Sequence, residues 1–528
     1  MSRLESRLHA STRAALALVV LLAFTISGCG TNPVTKKREL QLVSEQQEIA
    51  MGKQNYAPAR QSQGGDYIID PELTAYVQGI GQRLAAVSDR PLPYEFVVIN
   101  NSVPNAWAMP GGKIAFNRGL LYELNSEAEL AAVMGHEIVH SAARHSAQNM
   151  ERGILLQGAV MAVGIGTQNS NYGNLIVGGS QLGAQLISSK YGRDAESESD
   201  YYGMLYMKKA GYDPAAAVSL QETFVRLSEN KQTNFLEGLF ASHPPSQARV
   251  EANKATLAKI GAGGEWGREI YAQKVGKLKA TQAAYKAYDE GNAALAKGDT
   301  ATATTLAQQA LKAEPREPRF RDLLGDIALS QKKYDEALKY YAEAIKMQPD
   351  YFKPHIQSGV ALYNSGRKAE AEAYFKRSNE LLPTAPGHFF LGEIAESRGD
   401  IDTALKNYQI AAGSNSDIGK ASTERYVRID LPKNPGKYLK TGVRTDSSGN
   451  LYAVVQNATP VAVAGVRVSV ILYDEKTGRA IDRSRPLAIA SSIAAGNQGQ
   501  VQVQGVRLQS QAELKLYRVV VESAVLAE

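Results

Sequence analysis

The stretch Met134-Gly-His-Glu-Ile-Val-His140 decides how this chain is organised. Its two histidines are four positions apart, so on an α-helix both imidazole rings face one side and reach a single metal ion. Glu137 stands between them and can take a proton from a water molecule at that metal. Ser126 and Glu129 form a Ser-x-x-Glu pattern, typical of a helix N-terminus, directly before an apolar run. The stretch therefore predicts a helix that carries a zinc-dependent hydrolytic site.

The acidic stretch at 191–203 offers the third protein ligand that a zinc site with two histidines needs. Glu196 and Asp200 are four positions apart and share a helix face, which Glu198 does not. One carboxylate can bind the metal while the other orients a ligand histidine through its free ring nitrogen. Two other interpretations stay open. The stretch can be a charge cluster at a helix N-terminus, and the histidine pair can lie on the polar face of an amphipathic helix.

The length and composition limit the number of domains and the class of partner. A chain of 528 residues is too long for one core and indicates about three domains. The net charge of +6 is spread along the sequence without a basic block, which argues against nucleic-acid binding. The single cysteine excludes an intramolecular disulfide and a cysteine-based metal site. Beyond the N-terminus no apolar run reaches about 18 residues, so the rest of the chain is expected to be soluble.

The N-terminal residues 1–28 have the order of a secretion signal. Three arginines precede an apolar run at 14–24, which is too short to span a bilayer comfortably. The following Ile26-Ser-Gly-Cys29 resembles the lipobox of bacterial lipoproteins, which implies cleavage before Cys29 and acylation of the new N-terminus. Glycine at position 30 then favours the outer membrane, with residues 29–43 as a tether. The alternative is an ordinary signal peptide or signal anchor with an incidental cysteine.

A strand at 94–99, followed by a hairpin at 106–116 around Pro110-Gly-Gly112, predicts a small sheet before the metal helix. A strand edge beside the metal can hold a peptide substrate in an extended conformation through main-chain hydrogen bonds. Asn105 and Trp107 are candidates to face that cleft. Turn chemistry for Asn105 and core packing for Trp107 are the alternatives.

Two apolar, glycine-rich segments at 153–166 and 175–187 flank a polar stretch at 167–174. Each segment is too short to cross a membrane. We predict two helices joined by a mobile loop near the mouth of the active site, and a buried helical hairpin is the alternative.

Together these motifs resemble the HtpX and CAAX prenyl protease type of zinc metallopeptidase, over about residues 40–255. The resemblance implies one Zn²⁺ ion per chain and a catalytic base at the glutamate between the histidines. It is carried by His-Glu-x-x-His at 136–140, Glu-x-x-x-Asp at 196–200 before Gly203, Gly211-Tyr-Asp-Pro214, Ser242-His-Pro244 with Arg249, and Asn105-Ala before Pro110-Gly-Gly112. The implied roles are zinc ligand for His136, His140 and Glu196, base for Glu137, support of a ligand for Asp200, and a position near the site for His243 and Arg249.

The role of His243 stays open between two possibilities with opposite consequences. Pro244 and Pro245 stiffen the backbone beyond it. A rigid loop of this kind can place the imidazole on the metal's fourth position and displace the catalytic water. The same ring, moved aside, can donate a hydrogen bond to the developing oxyanion. We favour the first role, in which the imidazole acts as a plug on the metal.

One departure from the family pattern is Ser199, where alanine is usual.

A period of about 34 residues begins near residue 282. Glycines at 291, 325, 359 and 392 keep one register, alanines at 303, 337, 371 and 404 keep another, and prolines at 315, 349 and 383 close three of the units. The pattern resembles the tetratricopeptide repeat, in which small residues let paired helices pack closely. It implies a solenoid at 282–413 that binds protein partners. The first unit is atypical, because Ala307 stands where later units have Tyr341 and Tyr408.

The predicted architecture is a mainly α zincin-type metallopeptidase domain with a small β-sheet at 44–262, the α-solenoid, and a β-sandwich at 436–528. The sandwich follows from alternating runs such as 466–470 and 501–503. We expect a lipid-anchored, periplasm-facing zinc endopeptidase that degrades misfolded or stalled envelope proteins. The alternative is a chaperone or assembly scaffold whose protease site is mostly latent.

Overall fold

The computed structural model describes residues 29–152, 191–229 and 242–527. The signal-peptide prediction for residues 1–28 and the paired-helix prediction for 153–190 lie outside the described residues. None of the described helices is both long and apolar enough to cross a membrane. The chain divides into two compact units, the first up to residue 366 with 380–383, and the second from 367 to 379 and from 384 onward.

The predicted metallopeptidase part of the first unit consists of helices around a three-stranded sheet. Strand β3 (Glu95–Ile99) pairs in parallel with β5 (Lys113–Asn117), and β4 (Ala106–Met109) pairs with β5 in the antiparallel sense, so β4 is an outer strand. The predicted strand and hairpin are therefore confirmed. The elements are β1 (Cys29–Thr31), β2 (Arg38–Leu40), α1 (Glu45–Ser62), α2 (Pro71–Ala85), β3 (Glu95–Ile99), β4 (Ala106–Met109), β5 (Lys113–Asn117), α3 (Arg118–Glu123), α4 (Glu127–Ala142), α5 (Arg193–Lys209), α6 (Ala215–Glu229), α7 (Gln247–Ile260), α8 (Arg268–Lys274) and α9 (Gly276–Ala280).

Helix α4 is the centre of this part, and its sequence explains why. The Ser126 side chain accepts a hydrogen bond from the Glu129 backbone N–H at 3.1 Å, which caps the first turn. The Glu129 carboxylate in turn accepts from the Asn125 backbone N–H at 2.6 Å. Every residue from 128 to 142 is buried, because the helix packs against α5, α6, α2 and the sheet. The helix predicted from the cap and the histidine spacing is therefore confirmed.

The repeat segment forms paired antiparallel helices, as the 34-residue period predicts. A Cβ atom on Gly325 would lie 2.5 Å from the Tyr341 ring, and one on Gly392 would lie 2.7 Å from the Tyr408 ring. Glycine is therefore what allows each tyrosine to pack against its partner helix. The repeat helices that lie in the first unit are α10 (Gln282–Ala296), α11 (Thr300–Ala313), α12 (Pro318–Ser330), α13 (Tyr334–Met347) and α14 (Phe352–Asn364). They are followed by α15 (Lys368–Leu381), α16 (Ala385–Ser397), α17 (Ile401–Ala412) and α18 (Asp417–Asp430).

The first repeat helices and the predicted metallopeptidase part share one hydrophobic core. Tyr285 of α10, Ala310 of α11 and Phe320 of α12 belong to the same buried cluster as Leu130 and Met134 of α4. Burial of this apolar surface links the two parts energetically. The boundaries predicted from the sequence, 44–262 and 282–413, remain predictions. They do not indicate that the two segments share a core.

The C-terminal residues of the second unit form two facing sheets. One sheet has the order β10 (Leu487–Ala488), β8 (Val463–Tyr473) and β12 (Tyr517–Leu526), with β9 (Ala480–Arg483) also on β8. The other has the order β11 (Gln498–Arg507), β7 (Asn450–Asn457) and β6 (Leu439–Thr445). Valine and leucine side chains from both sheets meet in one buried cluster, which confirms the predicted β-sandwich. The elements are α19 (Pro435–Tyr438), β6 (Leu439–Thr445), β7 (Asn450–Asn457), β8 (Val463–Tyr473), β9 (Ala480–Arg483), β10 (Leu487–Ala488), β11 (Gln498–Arg507), a 3₁₀ helix (Gln511–Leu516) and β12 (Tyr517–Leu526).

Candidate active site

Four buried side chains converge beside α4. His136, His140, Glu196 and His243 each offer one nitrogen or oxygen atom, and these atoms all lie within 4.8 Å of one another. The Nε2 atoms of His136 and His140 are 3.0 Å apart, and His243 Nδ1 lies 3.0 Å from Glu196 Oε1 and 3.3 Å from His136 Nε2. The structure therefore brings together residues from three segments, the first and last of which, at His136 and His243, are 107 positions apart in the chain.

A close crossing of two helices places the carboxylate beside the histidines. His136 and His140 occupy successive turns of α4, whereas Glu196 lies in the first turn of α5. A Cβ atom on Gly135 would lie 3.0 Å from the carbonyl oxygen of Gly203, so the two backbones are in contact. Only glycine allows this approach, which is why the two glycines matter to the position of Glu196.

Asp200 and Arg249 fix the His136 ring on the side away from the donor cluster. The ring Nδ1–H of His136 donates to Asp200 Oδ1 at 2.9 Å, which leaves the lone pair of Nε2 facing the cluster. The guanidinium of Arg249 donates from Nε and Nη2 to the two Asp200 oxygens, both at 2.7 Å, and its Nη1 lies 2.9 Å from Glu196 Oε2. Burial alone would raise the pKa of Asp200, but the hydrogen bonds from Arg249 and His136 outweigh it and the pKa is lowered.

Glu137 is buried with one oxygen unused. Its Oε2 atom has no hydrogen-bond partner among the residues that the structure describes, and its Oε1 atom lies 3.5 Å from His243 Nε2. Burial raises the pKa of this carboxyl group, while the neighbouring histidines act in the opposite direction. A raised pKa and a free oxygen suit a group that must accept a proton and give it back.

The donor set fits a divalent metal of zinc type. Imidazole nitrogens and one carboxylate are the ligands that such a metal prefers. The Nε2 atoms of His136 and His140 face each other at 3.0 Å with the Glu196 carboxylate beside them. If both ring nitrogens carry lone pairs here, a cation is their natural partner. Glu137 Oε2, which has no hydrogen-bond partner among the described residues, lies in the same buried space and is available to a polar reactant bound there.

The model of peptidase family M48 matches residues 71–257, which contain all four converging side chains. The chain is similar to the metalloprotease YcaL of Escherichia coli (strain K12), with 31% identity over 191 residues, 34% of this chain and 70% of the relative. The chain belongs to peptidase family M48. It is therefore a metallopeptidase, and the enzyme class predicted from the sequence is confirmed.

The relatives extend beyond the peptidase domain. The beta-barrel assembly-enhancing protease (BepA) of Yersinia pestis is 27% identical over 418 residues, which cover 71% of this chain and 81% of the relative. The protease of the same name in Escherichia coli (strain K12) is 26% identical over 451 residues, 73% of this chain and 87% of the relative. Tetratricopeptide-repeat models match residues 288–352 and 328–386, so the predicted repeats are confirmed as well.

Of the two substrate-edge candidates of this M48 chain, Asn105 directly precedes the outer strand β4 and Trp107 lies within it. Trp107 is buried and packs edge-on against Tyr56, with ring centroids 5.9 Å apart, in a small core that also contains Met109. Asn105 is buried, and its Oδ1 atom has no hydrogen-bond partner within the described part of the chain. The tryptophan thus has the packing role that was the alternative, and a substrate role for either residue stays a prediction.

Residue Cys29 begins β1, and the segment predicted as a tether folds onto the metallopeptidase. Strands β1 and β2 form a hairpin, and Asn32 Nδ2 donates to the carbonyl of Ala143 at 2.9 Å. Arg144, buried directly after α4, donates to Glu48 Oε1 at 2.6 Å and to Glu39 Oε1 at 3.2 Å. The N-terminal segment therefore contacts the end of the helix that carries both histidines.

Two residues near the site are absent from the sequence-based predictions. His145 Nδ1 lies 2.9 Å from His140 Nδ1, and the Tyr191 ring stacks on the His140 ring with centroids 3.9 Å apart. A sequence signal did exist for the first of them. His145 is one of only seven histidines and follows His140 by five positions. For Tyr191 we find no such signal.

A cavity of about 40 Å³ adjoins Glu137 and His136. The apolar part of its wall comes from three helices, with Val133 of α4, Met204 of α5, and Leu220 and Phe224 of α6, and helix α7 adds polar side chains. Apolar walls exclude water and strengthen the electrostatic interactions of the charged groups beside them.

Proposed function

We propose that this M48 metallopeptidase is a zinc-dependent endopeptidase of the bacterial cell envelope that degrades misfolded or stalled envelope proteins. The observation that carries the catalytic part is the buried donor set of His136, His140 and Glu196, with a Glu137 oxygen beside it that no described residue pairs with. One Zn²⁺ ion per chain would be held by these three side chains. When bound, zinc lowers the pKa of a water molecule and polarises the scissile carbonyl group.

Glu137 supplies the proton transfers. Its free Oε2 atom accepts the proton of the attacking water, and the resulting carboxylic acid gives that proton to the leaving amine. Asp200 fixes the ring of His136 through Nδ1, and Arg249 fixes Asp200. These contacts keep the donor atoms in place, so little reorganisation is needed during the reaction.

His243 is proposed to restrain the enzyme. Its Nδ1 atom lies among the donor atoms, 3.0 Å from Glu196 Oε1 and 3.3 Å from His136 Nε2. An imidazole in that position occupies the space that the catalytic water needs. The competing role, donation to an oxyanion, requires the ring to move away from Glu196.

The substrate would lie along the outer strand β4. This strand pairs with β5 on one side only in the described sheet, and it packs against α4. An extended peptide can add to such an edge through main-chain hydrogen bonds, without demanding a particular sequence. Asn105, directly before β4, would contact that peptide, whereas Trp107 would support the strand from the core.

The cellular location and the partners rest on the lipobox-like sequence and on the named relatives. Acylation of Cys29 would anchor the chain to the outer membrane with the peptidase facing the periplasm. The relatives are named for the assembly of beta-barrels, which supports envelope proteins as substrates. The repeats would bind protein partners, because stacked helix pairs offer an extended concave surface. We propose no nucleic-acid partner.

A second candidate is a chaperone or assembly scaffold whose protease site is mostly latent. The position of His243 among the donor atoms favours it, because a closed site would leave the repeats as the active part. The two candidates differ in the proteolytic activity of the purified mature chain.

The test uses metal content and casein degradation by the purified mature protein. The parent should contain one zinc per chain, and Glu137→Gln should keep that zinc while hydrolysis falls by about 10² to 10⁴-fold, because an amide cannot accept the proton. Glu196→Ala should lose the zinc as well. Glu222→Gln, at an exposed glutamate of α6, is the matched control and should behave as the parent. Full activity of Glu137→Gln would refute the assignment, and a zinc-loaded but inactive parent would favour the scaffold.

A further inference from the structure

The ring of His140 has contacts at both of its nitrogen atoms. Its Nε2 atom faces the proposed metal site, whereas its Nδ1 atom lies 2.9 Å from Nδ1 of His145. The His145 ring is buried and stands nearly perpendicular to the His140 ring, with centroids 4.9 Å apart. On its far side His145 Nε2 lies 3.5 Å from Glu198 Oε2.

The backbone between the two histidines explains this contact. Helix α4 ends at Ala142, and Arg144 adopts a left-handed conformation with φ of 65°, which turns the chain before residues 145–152 become helical again. A left-handed arginine is costly and persists only where its surroundings hold it. Here the Arg144 guanidinium is buried against Glu48, Glu39 and Glu151. The turn that returns His145 to His140 is thus fixed by an ion-pair network.

The hydrogen bonds along the row His140, His145 and Glu198 have one consistent direction. The Glu198 carboxylate can only accept, so His145 Nε2–H donates to it and the lone pair of His145 lies on Nδ1. That lone pair accepts from His140 Nδ1–H, which leaves the Nε2 lone pair of His140 facing the metal site. Lys37, on the N-terminal hairpin, pairs with the other Glu198 oxygen at 3.0 Å. His145 thus accepts from Nδ1–H of His140 as Asp200 accepts from Nδ1–H of His136, and each contact orients the Nε2 lone pair towards the metal site.

We propose that His145 and Glu198 are positioning residues for the metal ligand His140, acting in series through the His145 ring. The inference rests on the proposed metal-binding role of His140. It assigns a function to Glu198, which the helical spacing places off the face of Glu196 and Asp200. It also gives His145 a role besides filling the core.

The test measures zinc affinity of the full mature chain by competition with a chromophoric chelator. Loss of a partner that orients a ligand typically weakens metal affinity by about 10 to 100-fold. His145→Ala and Glu198→Gln should each show a loss in this range. His145→Gln should recover part of it, because its amide has an oxygen that can accept from His140 and N–H groups that can donate to Glu198. Glu222→Gln, a carboxylate lost from the surface, should leave the affinity unchanged.

The double variant His145→Ala/Glu198→Gln distinguishes action in series from two separate effects. Because Glu198 acts through the ring, the double variant should lose no more affinity than His145→Ala alone. Additive losses, or an affinity of His145→Ala within about twofold of the control, would overturn the proposal. If His145→Ala fails to fold, Glu198→Gln decides alone, since that side chain is partly exposed. A parent chain that binds no zinc refutes the proposed function and this inference together, whereas a zinc-binding parent with unaffected variants refutes only the inference.

Discussion

Asn100 Nδ2 lies 3.1 and 3.0 Å from the two carboxylate oxygens of Glu317, although the residues are 217 positions apart. Asn100 follows β3 of the metallopeptidase part, and Glu317 is the N-cap of the repeat helix α12. Tyr285 of α10 donates to the same carboxylate at 2.5 Å, and the Arg118 guanidinium lies 3.4 Å from the Tyr285 ring centroid. A buried polar contact therefore joins the repeats to the peptidase within one unit.

Glu317→Ala is expected to destabilise the first unit by about 2 to 4 kcal/mol, because it leaves the Asn100 amide and the Tyr285 hydroxyl buried without an acceptor. The urea midpoint of unfolding measures this change. Glu343→Ala removes a carboxylate that is exposed and pairs with Arg321, so it is the matched control and should shift the midpoint little. Equal midpoints for the two variants would mean that the buried contact contributes nothing to stability.

A pH dependence is expected from Asp322 of α12. Burial, and to a lesser extent Asp326, raises the pKa of this carboxyl group to about 7, although Lys353 and Arg319 act against the shift. The native state therefore holds its proton at pH values where the unfolded chain has lost it. Stability should fall as the pH rises from about 4 to about 7 and then level off, with a total loss of about 4 kcal/mol at most.

Asp322→Asn should remove this part of the pH dependence. The variant should unfold at higher urea than the parent at about pH 8, and the difference should shrink towards about pH 5. Asp402→Asn, at an exposed position of α17, serves as the control. A difference between Asp322→Asn and the parent that stays constant across this range would contradict the assigned pKa.

The parts of the site that depend on short stretches of chain could be predicted from the sequence. Helix α4 was predictable because the Ser126 cap and the four-residue histidine spacing act within a few turns. Glu196 and Asp200 were recognisable as candidates for the same reason. The choice of Glu196 over Asp200 as the metal ligand, and the position of His243 near the site, came from the family resemblance. No local rule sets the distances between α4, α5 and the segment before α7.

The features that the sequence did not reveal depend on unusual backbone or on distant contacts. The His145 contact requires a left-handed arginine at 144, which no propensity rule predicts for that residue type. Glu317 resembles any charged residue at a helix N-terminus until Asn100 and Tyr285 are seen to enclose it. For the same reason the shared core of α10 and α4 was not apparent.

Arg249 is expected to matter for stability as well as for the metal. Its guanidinium is buried and neutralises Asp200 and Glu196 together. Arg249→Met should destabilise the metal-free chain by about 3 to 5 kcal/mol, because it leaves both carboxylates buried without their cation. Arg249→Lys keeps a charge but loses the two parallel hydrogen bonds to Asp200, so it should fold and bind zinc more weakly. Urea unfolding and chelator competition measure the two effects, with Arg226→Met at an exposed position of α6 as the control.

Cys29→Ser is expected to move the protein from the membrane fraction to the soluble fraction. The reason is that acylation of this residue would supply the membrane anchor. Fractionation and mass spectrometry of the mature N-terminus are the measurements. Ser27→Ala keeps a small residue before the cysteine and should remain in the membrane fraction. An unmodified Cys29 in the intact parent protein would contradict the lipoprotein assignment.

His243→Ala is expected to raise basal casein degradation while zinc stays bound. The contact of His243 Nδ1 with Glu196 Oε1, at 3.0 Å, holds the ring among the donor atoms. A hydrogen bond to a charged group contributes about 1.5 kcal/mol or more, which favours the closed arrangement by roughly tenfold. Removing the ring should therefore increase basal activity by about that factor.

The opposite role of His243 gives the opposite result. If the ring donates to the oxyanion, His243→Ala should lower hydrolysis by about 10² to 10³-fold with zinc content unchanged. His388→Ala, on the repeat helix α16, is a matched histidine deletion away from the donor atoms and should change neither quantity. Activity and zinc affinity of His243→Ala equal to those of the His388→Ala control would exclude both roles. The ring would then be a core residue whose neighbours happen to be catalytic.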